Sequence, residues 1–279
     1  MLELGPLTIH YYALCIITGI ALAIWLGHTR FKIKTAQGQS VVSEVAIVAV
    51  PSGIIGGRIY HVISSPNAYF GSGGAPLDAF KIWEGGLGIW GAISIGLLGA
   101  YLRYRSLART MELPSFAVFA DALAPGILLA QAIGRFGNWF NGELFGKPLD
   151  TWWALEIPVR YRPSGYSQFE TFHPTFLYES LACGALCFAL IVLDKKVPMR
   201  PGRLFCFYTA GYTLFRFFIE GIRIDEAHQV GGLRLNQWVS LVVFGVSVSL
   251  IVAMRGAIAL PEVIAAPEET QQDLQESSD

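Results

Sequence analysis

The chain has 279 residues, 53% apolar and only 15% charged, with a formal net charge of −1 and a mean hydropathy of +0.47. An average soluble protein carries roughly 25% charged residues, so disordered, fibrous, disulfide-scaffold and nucleic-acid-binding classes are excluded. The composition predicts an all-α integral membrane protein, because several apolar runs approach the roughly 20 residues that cross a bilayer.

In chain order, apolar runs fall near residues 9–28, 45–64, 86–104, 116–136, 175–193, 204–221 and 237–254, predicting a bundle of about seven transmembrane helices within a polytopic membrane domain over 1–260. Glu3 and no basic residue precede the first run, which is also too long for the apolar part of a signal peptide, so it is expected to remain a span. In the second, Pro51 and Gly53 precede Gly56-Gly57-Arg58, predicting a kink and close helix packing, with Arg58 either at a site or snorkelling to an interface. Trp83-Glu84-Gly85-Gly86 opens the third, where Glu84 reads as a cap or a site group.

The fourth run ends on Gly134-Arg135-Phe136-Gly137-Asn138-Trp139-Phe140-Asn141-Gly142-Glu143. Its three glycines permit a sharp turn and close backbone approach. With four polar or charged side chains beside them, non-helical backbone lining a cavity is expected here. The connection 137–174 holds Trp139, Trp152, Trp153, Tyr161 and Tyr166, a density suited to a periplasmic segment at the lipid headgroup level. His173-Pro174 leads into the fifth run; His10, His61 and His173 read as hydrogen-bonded structural residues near outer ends. Cys15, Cys183, Cys187 and Cys206 lie inside apolar runs without metal-ligand spacing, and Cys183 and Cys187 read as small core residues. Residues 261–279 carry six acids and no Lys or Arg, predicting a disordered acidic tail.

Basic residues collect after alternate runs: Arg30, Lys32 and Lys34; Arg103, Arg105 and Arg109; Lys195, Lys196, Arg200 and Arg203; then Arg255. By the positive-inside rule those ends are cytoplasmic, with the N-terminus outside and the tail inside.

Ionisable groups in or beside the runs carry the functional signal. Each costs about 2.5–3.5 kcal/mol at a helix centre, so Arg58, Glu84, Asp121, Arg135, Glu143, Arg216, Glu220 and Arg223 must pair, sit at an interface, or line a wet cavity. Tyr212, Arg216, Glu220 and Arg223 share one helical face. Two arginines against one glutamate leave a positive surplus suited to an anionic phosphate; a buried Arg–Glu pair locking the helix is the plainer alternative.

These residues resemble the prolipoprotein diacylglyceryl transferase family of bacterial inner membranes. Residues 134–143 match its G-R-x-G-N-x-x-N-G-E signature. Ile9-His10-Tyr11-Tyr12, Gly56-Gly57-Arg58-Ile59, Trp83-Glu84-Gly85-Gly86, His173-Pro174 with Leu177-Tyr178-Glu179, and Gly211-Tyr212 through Arg223 follow in the family's order, over about residues 4–254. The resemblance implies transfer of the diacylglyceryl group from phosphatidylglycerol to the lipobox cysteine of a prolipoprotein signal peptide, forming a thioether and releasing glycerol 1-phosphate, with no metal or cofactor. It implies that Arg135 binds the headgroup while Asn138, Asn141 and Gly142 shape the pocket. Glu143 positions glycerol hydroxyls or aids proton transfer, and Arg216 is the second phosphate ligand. Glu220 orients Arg216, Tyr212 hydrogen-bonds the phosphate, Arg223 adds to the lipid site, and Tyr12 positions substrate or assists deprotonation. Many members carry His-Gly-Gly where this chain has Trp90-Gly91-Ala92, which leaves Glu143, Tyr12 and His10, in that order, as candidate bases. A transporter or flippase for an anionic lipid is the competing class.

Overall fold

The structure, a computed structural model, describes residues 2–4, 7–34, 40–82, 85–227 and 229–255. Glu84 and the acidic tail 261–279 lie outside the described residues. The chain is mostly helical: α1 (Tyr11–Lys34), α2 (Val41–Ser64), the single turn α3 (Asn67–Phe70), α4 (Ile89–Leu107), α5 (Phe116–Asn141), α6 (Thr175–Lys196), α7 (Arg203–Ile222) and α8 (Leu235–Ala253). A helix satisfies its own backbone hydrogen bonds, the condition for crossing hydrocarbon. Of the seven long helices, α1, α2, α5, α6 and α8 are long and apolar enough to cross a membrane by length and composition. The charged residues of the other two are Arg103 and Arg105 at the end of α4, and Arg203, Arg216 and Glu220 in α7. The protein is an all-α, multi-pass membrane protein.

α1 packs along α5 and α2 along α4, while α6 and α8 flank α7. Small residues allow these approaches. A Cβ on Gly56 would lie 2.4 Å from the Gly91 carbonyl oxygen, and one on Gly126 2.7 Å from the Ala23 carbonyl. Phe31, Val41, Val42, Val45, Tyr104, Phe119 and Ala122 form a buried cluster joining both pairs at their Lys/Arg-bearing ends. A second core, including Leu128, Cys183, Cys187 and Leu204, joins α5, α6 and α7, which bears out Cys183 and Cys187 as core residues.

Several sequence expectations are corrected. α1 runs beyond its apolar stretch to Lys34, because buried Arg30 donates to the Ala122 carbonyl (3.1 Å) and Asp194 (2.8 Å), and Lys34 reaches the same carboxylate (3.0 Å). Arg58 does not snorkel: it is buried, donating to the carbonyls of Asp78, Ala79 (2.7 Å) and Gly85 (2.6 Å), and thereby ties down the loop before α4. Asp121 accepts the backbone N–H groups of Gly202 and Phe205, both at 2.7 Å, and so caps α7 from α5.

Short antiparallel pairs decorate the opposite ends: β1 (Leu2–Leu4) with β2 (Leu7–Ile9), β3 (Leu155–Glu156) with β4 (Thr171–Phe172), and β5 (Gln229–Val230) with β6 (Leu233–Arg234). The connection between α5 and α6 folds around buried Phe145, Ile157 and Phe172 as a small lobe, leaving Trp152 92% exposed. Trp153 Nε1 donates to the Tyr178 hydroxyl (3.0 Å), which lies 3.2 Å from His173 Nδ1 and latches the lobe to α6. Burial, with the nearby Lys147 charge, pushes the His173 imidazole below its usual pKa.

Candidate functional site

The 134–143 signature is helical almost throughout, contrary to the expected broken backbone: α5 extends to Asn141 and turns only at Gly142, which has φ +64°. One helix therefore presents Arg135 and Asn138 on neighbouring turns of one face. The turn brings Glu143 back, where its Oε1 accepts Asn138 Nδ2 and Asn141 Nδ2, each at 3.1 Å. Leu144 follows with φ +60°, a left-handed conformation that costs a non-glycine residue about 1–2 kcal/mol. Its carbonyl accepts the Thr175 hydroxyl, anchoring the turn to α6. A hollow of about 10 Å³, roughly water-sized, adjoins Asn138, Glu143 and Phe176.

Beside this turn the two arginines of interest meet. Arg135 Nε lies 2.7 Å from Glu179 Oε2, and Arg216 Nη1 contacts Glu179 Oε1. Arg216 Nη2 lies 2.5 Å from Glu220 Oε2, and Arg135 Nη2 donates to the Tyr212 hydroxyl at 3.2 Å. The side chains of Arg135 and Arg216 are 19% and 15% exposed, and that of Glu179 is 6%. Two guanidiniums from α5 and α7 thus share one carboxylate from α6.

Behind them Glu220, with no exposed surface, also faces Arg223 (3.6 Å), Arg234 (3.1 Å) and Asn236 Nδ2 (3.2 Å). Asp225 closes the cluster on Arg223 (2.7 Å) and Arg234 (2.8 Å). Burial opposes ionisation of Asp225, but those two arginines outweigh it and hold its carboxyl below the usual range. Four arginines face three carboxylates across this network. The positive surplus of one expected from Arg216, Arg223 and Glu220 alone therefore keeps its size but is shared by seven residues.

Tyr12, on α1, packs against Gly137 and lies within electrostatic reach of Arg135 and Glu143. Arg135, Asn138, Asn141, Gly142, Glu143, Tyr12, Tyr212, Arg216, Glu220 and Arg223 are all brought to one end of the bundle. His10 stands exposed just before α1, and His61 packs edge-on against Tyr69 near Arg58. Trp90 occupies the first turn of α4, in the α2–α4 pair rather than among α5, α6 and α7. Sequence reasoning passed over three charges. Glu179 was quoted within a motif without a site role, although its place in an apolar run was the available signal. Arg234 and Asp225 looked like ordinary connection charges, and nothing in their spacing marks the fold-back onto Glu220.

A family model described as prolipoprotein diacylglyceryl transferase matches residues 1–253. The chain belongs to this family. It is 51% identical over 254 residues to the phosphatidylglycerol–prolipoprotein diacylglyceryl transferase of Cutibacterium acnes, covering 91% of this chain and 84% of that protein. Enzyme 2 of that name from Streptomyces coelicolor is 49% identical over 252 residues, covering 90% and 78%. The Corynebacterium efficiens protein is 49% identical over 274 residues, covering 93% and 82%. The match includes the arginine-bearing parts of α5 and α7.

Proposed function

We propose that the protein transfers the diacylglyceryl group of phosphatidylglycerol to the lipobox cysteine of prolipoproteins, working in a bacterial inner membrane with seven spans, an outside N-terminus and a cytoplasmic C-terminus. The observation that carries the site assignment is the meeting of Arg135 and Arg216 on the Glu179 carboxylate. Two guanidiniums gripping one pair of anionic oxygens form the cradle that a lipid phosphate requires.

The substrate thiolate attacks the glycerol carbon bearing the phosphodiester oxygen. A C–S bond forms as the C–O bond breaks, the electron pair stays on the phosphate oxygen, and glycerol 1-phosphate leaves. Arg135 and Arg216 bind the phosphate and stabilise the negative charge that grows on it, and they fix the carbon in line with sulfur. Tyr212, already accepting from Arg135, donates its own proton to a phosphate oxygen. Glu220 aims Arg216, and Arg223 belongs to the same headgroup end. Asn138 and Asn141 hold one oxygen of Glu143 and Gly142 turns the chain there, which leaves the other oxygen to take the thiol proton. Tyr12 and His10 rank behind Glu143 for that role, and pH–rate profiles of Glu143→Gln, Tyr12→Phe and His10→Ala separate the three. The deciding experiment combines purified protein, defined phosphatidylglycerol and a lipobox peptide. A peptide mass gain of one diacylglyceryl unit supports the reading, whereas lipid movement across proteoliposomes without peptide modification favours transport.

A further inference from the structure

A hollow of about 260 Å³ lies away from the arginine pair, between α6, α7 and α8. Leu186, Ala189 and Leu193 of α6, Phe207 and Leu214 of α7 and Phe244 of α8 line it, and no polar side chain is among its lining residues. Ala189 and Leu214 are exposed, so the hollow is a groove open on the outer surface of the bundle. Ordered water needs two to four polar partners, which this lining does not offer. In a bilayer, hydrocarbon fills it.

The depth of the groove indicates whose hydrocarbon. From Leu186 to Leu193 it runs about 10 Å along α6, in the half of the helix that ends at Lys196, whereas Glu179 stands near the start. A chain lying there belongs to a lipid of the leaflet remote from Arg135 and Arg216.

The helix faces that form the groove end on cations. Lys196 follows Leu193 by three residues, and Arg203 precedes Phe207 by four, each on the same face as its neighbour. The Arg203 guanidinium carbon lies over the Phe207 ring, 5.7 Å from its centre. Among the described residues neither cation is ion-paired, and Arg203 Nε has no hydrogen-bond partner. Two acids at this end are engaged elsewhere, Asp194 on Arg30 and Lys34, and Asp121 on the backbone of Gly202 and Phe205. Basic residues framing a gap between membrane helices attract anionic headgroups, and a phosphate accepts the hydrogen bonds that unpaired cations donate.

We propose that this groove binds one anionic phospholipid of the leaflet remote from Arg135 and Arg216, with its phosphate on Arg203 and Lys196 and one acyl chain along Leu193 and Phe207. The site is independent of the phosphate assignment at Arg135 and Arg216. A helix of a second copy, about 10–12 Å wide, would cover the groove without filling it and leave both cations unmatched.

The test uses full-length protein in phosphatidylcholine nanodiscs with a trace of one of two photoactivatable lipids, a phosphatidic acid or a phosphatidylcholine, each bearing the same diazirine-labelled chain. Cross-links are mapped by peptide mass spectrometry. The phosphatidic acid should label the segments around Leu193 and Phe207 about tenfold more than the phosphatidylcholine does. That ratio is equivalent to about 1.4 kcal/mol, within reach of two cations at a membrane surface. Lys196→Gln with Arg203→Gln should lower anionic labelling to the neutral level while keeping the wild-type gel-filtration profile. Ala189→Trp, which fills the groove, should lower labelling by both probes. Equal labelling by the two probes in wild type, a result that needs no variant to fold, overturns the proposal. Anionic labelling that the double variant leaves unchanged does the same. Disulfide-linked Ala189→Cys dimers with no lipid labelling would give the groove to a second copy and overturn it too.

Discussion

At the scale of single residues, Glu179 decides how two cations coexist in an apolar bundle. It neutralises Arg135 and Arg216 together, while Glu220 takes the second face of Arg216. Breaking a buried pair by removing one partner costs about 3–5 kcal/mol, so Arg135→Ala and Arg216→Ala should lose lipidation by 100-fold or more on the order-of-magnitude scale of lost transition-state contacts. Both variants should remain in the membrane, checked by immunoblot beside a lipobox-peptide assay; normal thioether formation would remove the clamp. Arg216→Lys should be no better than alanine, because one ammonium does not bridge two carboxylates as a planar fork does. Arg135, Tyr212, Arg216 and Glu220 were legible in the sequence because ionisable groups in apolar runs demand a reason. Glu179 was equally available on that argument, whereas the fold-back that sets Arg234 on Glu220 depends on the turn before α8.

At the scale of elements, the helix pairs depend on backbone-to-backbone contact. A Cβ on Gly91 would stand 2.1 Å from the Gly56 carbonyl oxygen, whereas one on Gly184 meets nothing within 4 Å. Overpacking costs about 1–3 kcal/mol, so Gly91→Val should lower Tm by about 5 °C and Gly184→Val should leave it unchanged; equal Tm values would refute this reading of α2 against α4. The lobe latch should respond to acid. Tyr178 accepts from Trp153 and hydrogen-bonds His173 Nδ1, and the buried imidazole beside Lys147 favours its uncharged form. Because the folded imidazole titrates below its ordinary 6.5, its stabilising share is present above that value and is lost as pH falls through the lower folded one. Limited proteolysis between α5 and α6 should be faster at about pH 5 than at about pH 7.5, a difference that His173→Gln abolishes. Helix positions followed from hydropathy, but ends did not. α1 and α5 outrun their apolar stretches because tertiary partners accept Arg30 and because the signature's glycines are compatible with helix until Gly142.

At the scale of the molecule, the arginine-bearing site and the Lys/Arg-rich ends lie at opposite ends of the bundle, which supports the proposed orientation. In a Cys15→Ser background, Trp152→Cys should label with an impermeant maleimide on intact cells, and Arg109→Cys only after permeabilisation; the reverse pattern would invert the topology. The shared carboxylate of Glu179 has a further effect on turnover. On the proposed phosphate assignment its two guanidiniums are never bare, an arriving lipid replaces one anion with another, and the same side chain returns to evict the more highly charged glycerol phosphate. On that assignment the resting enzyme carries its own competitor against the product. Glu179→Gln should accordingly strengthen inhibition by glycerol 1-phosphate about tenfold, the effect of losing about 1.4 kcal/mol of competition.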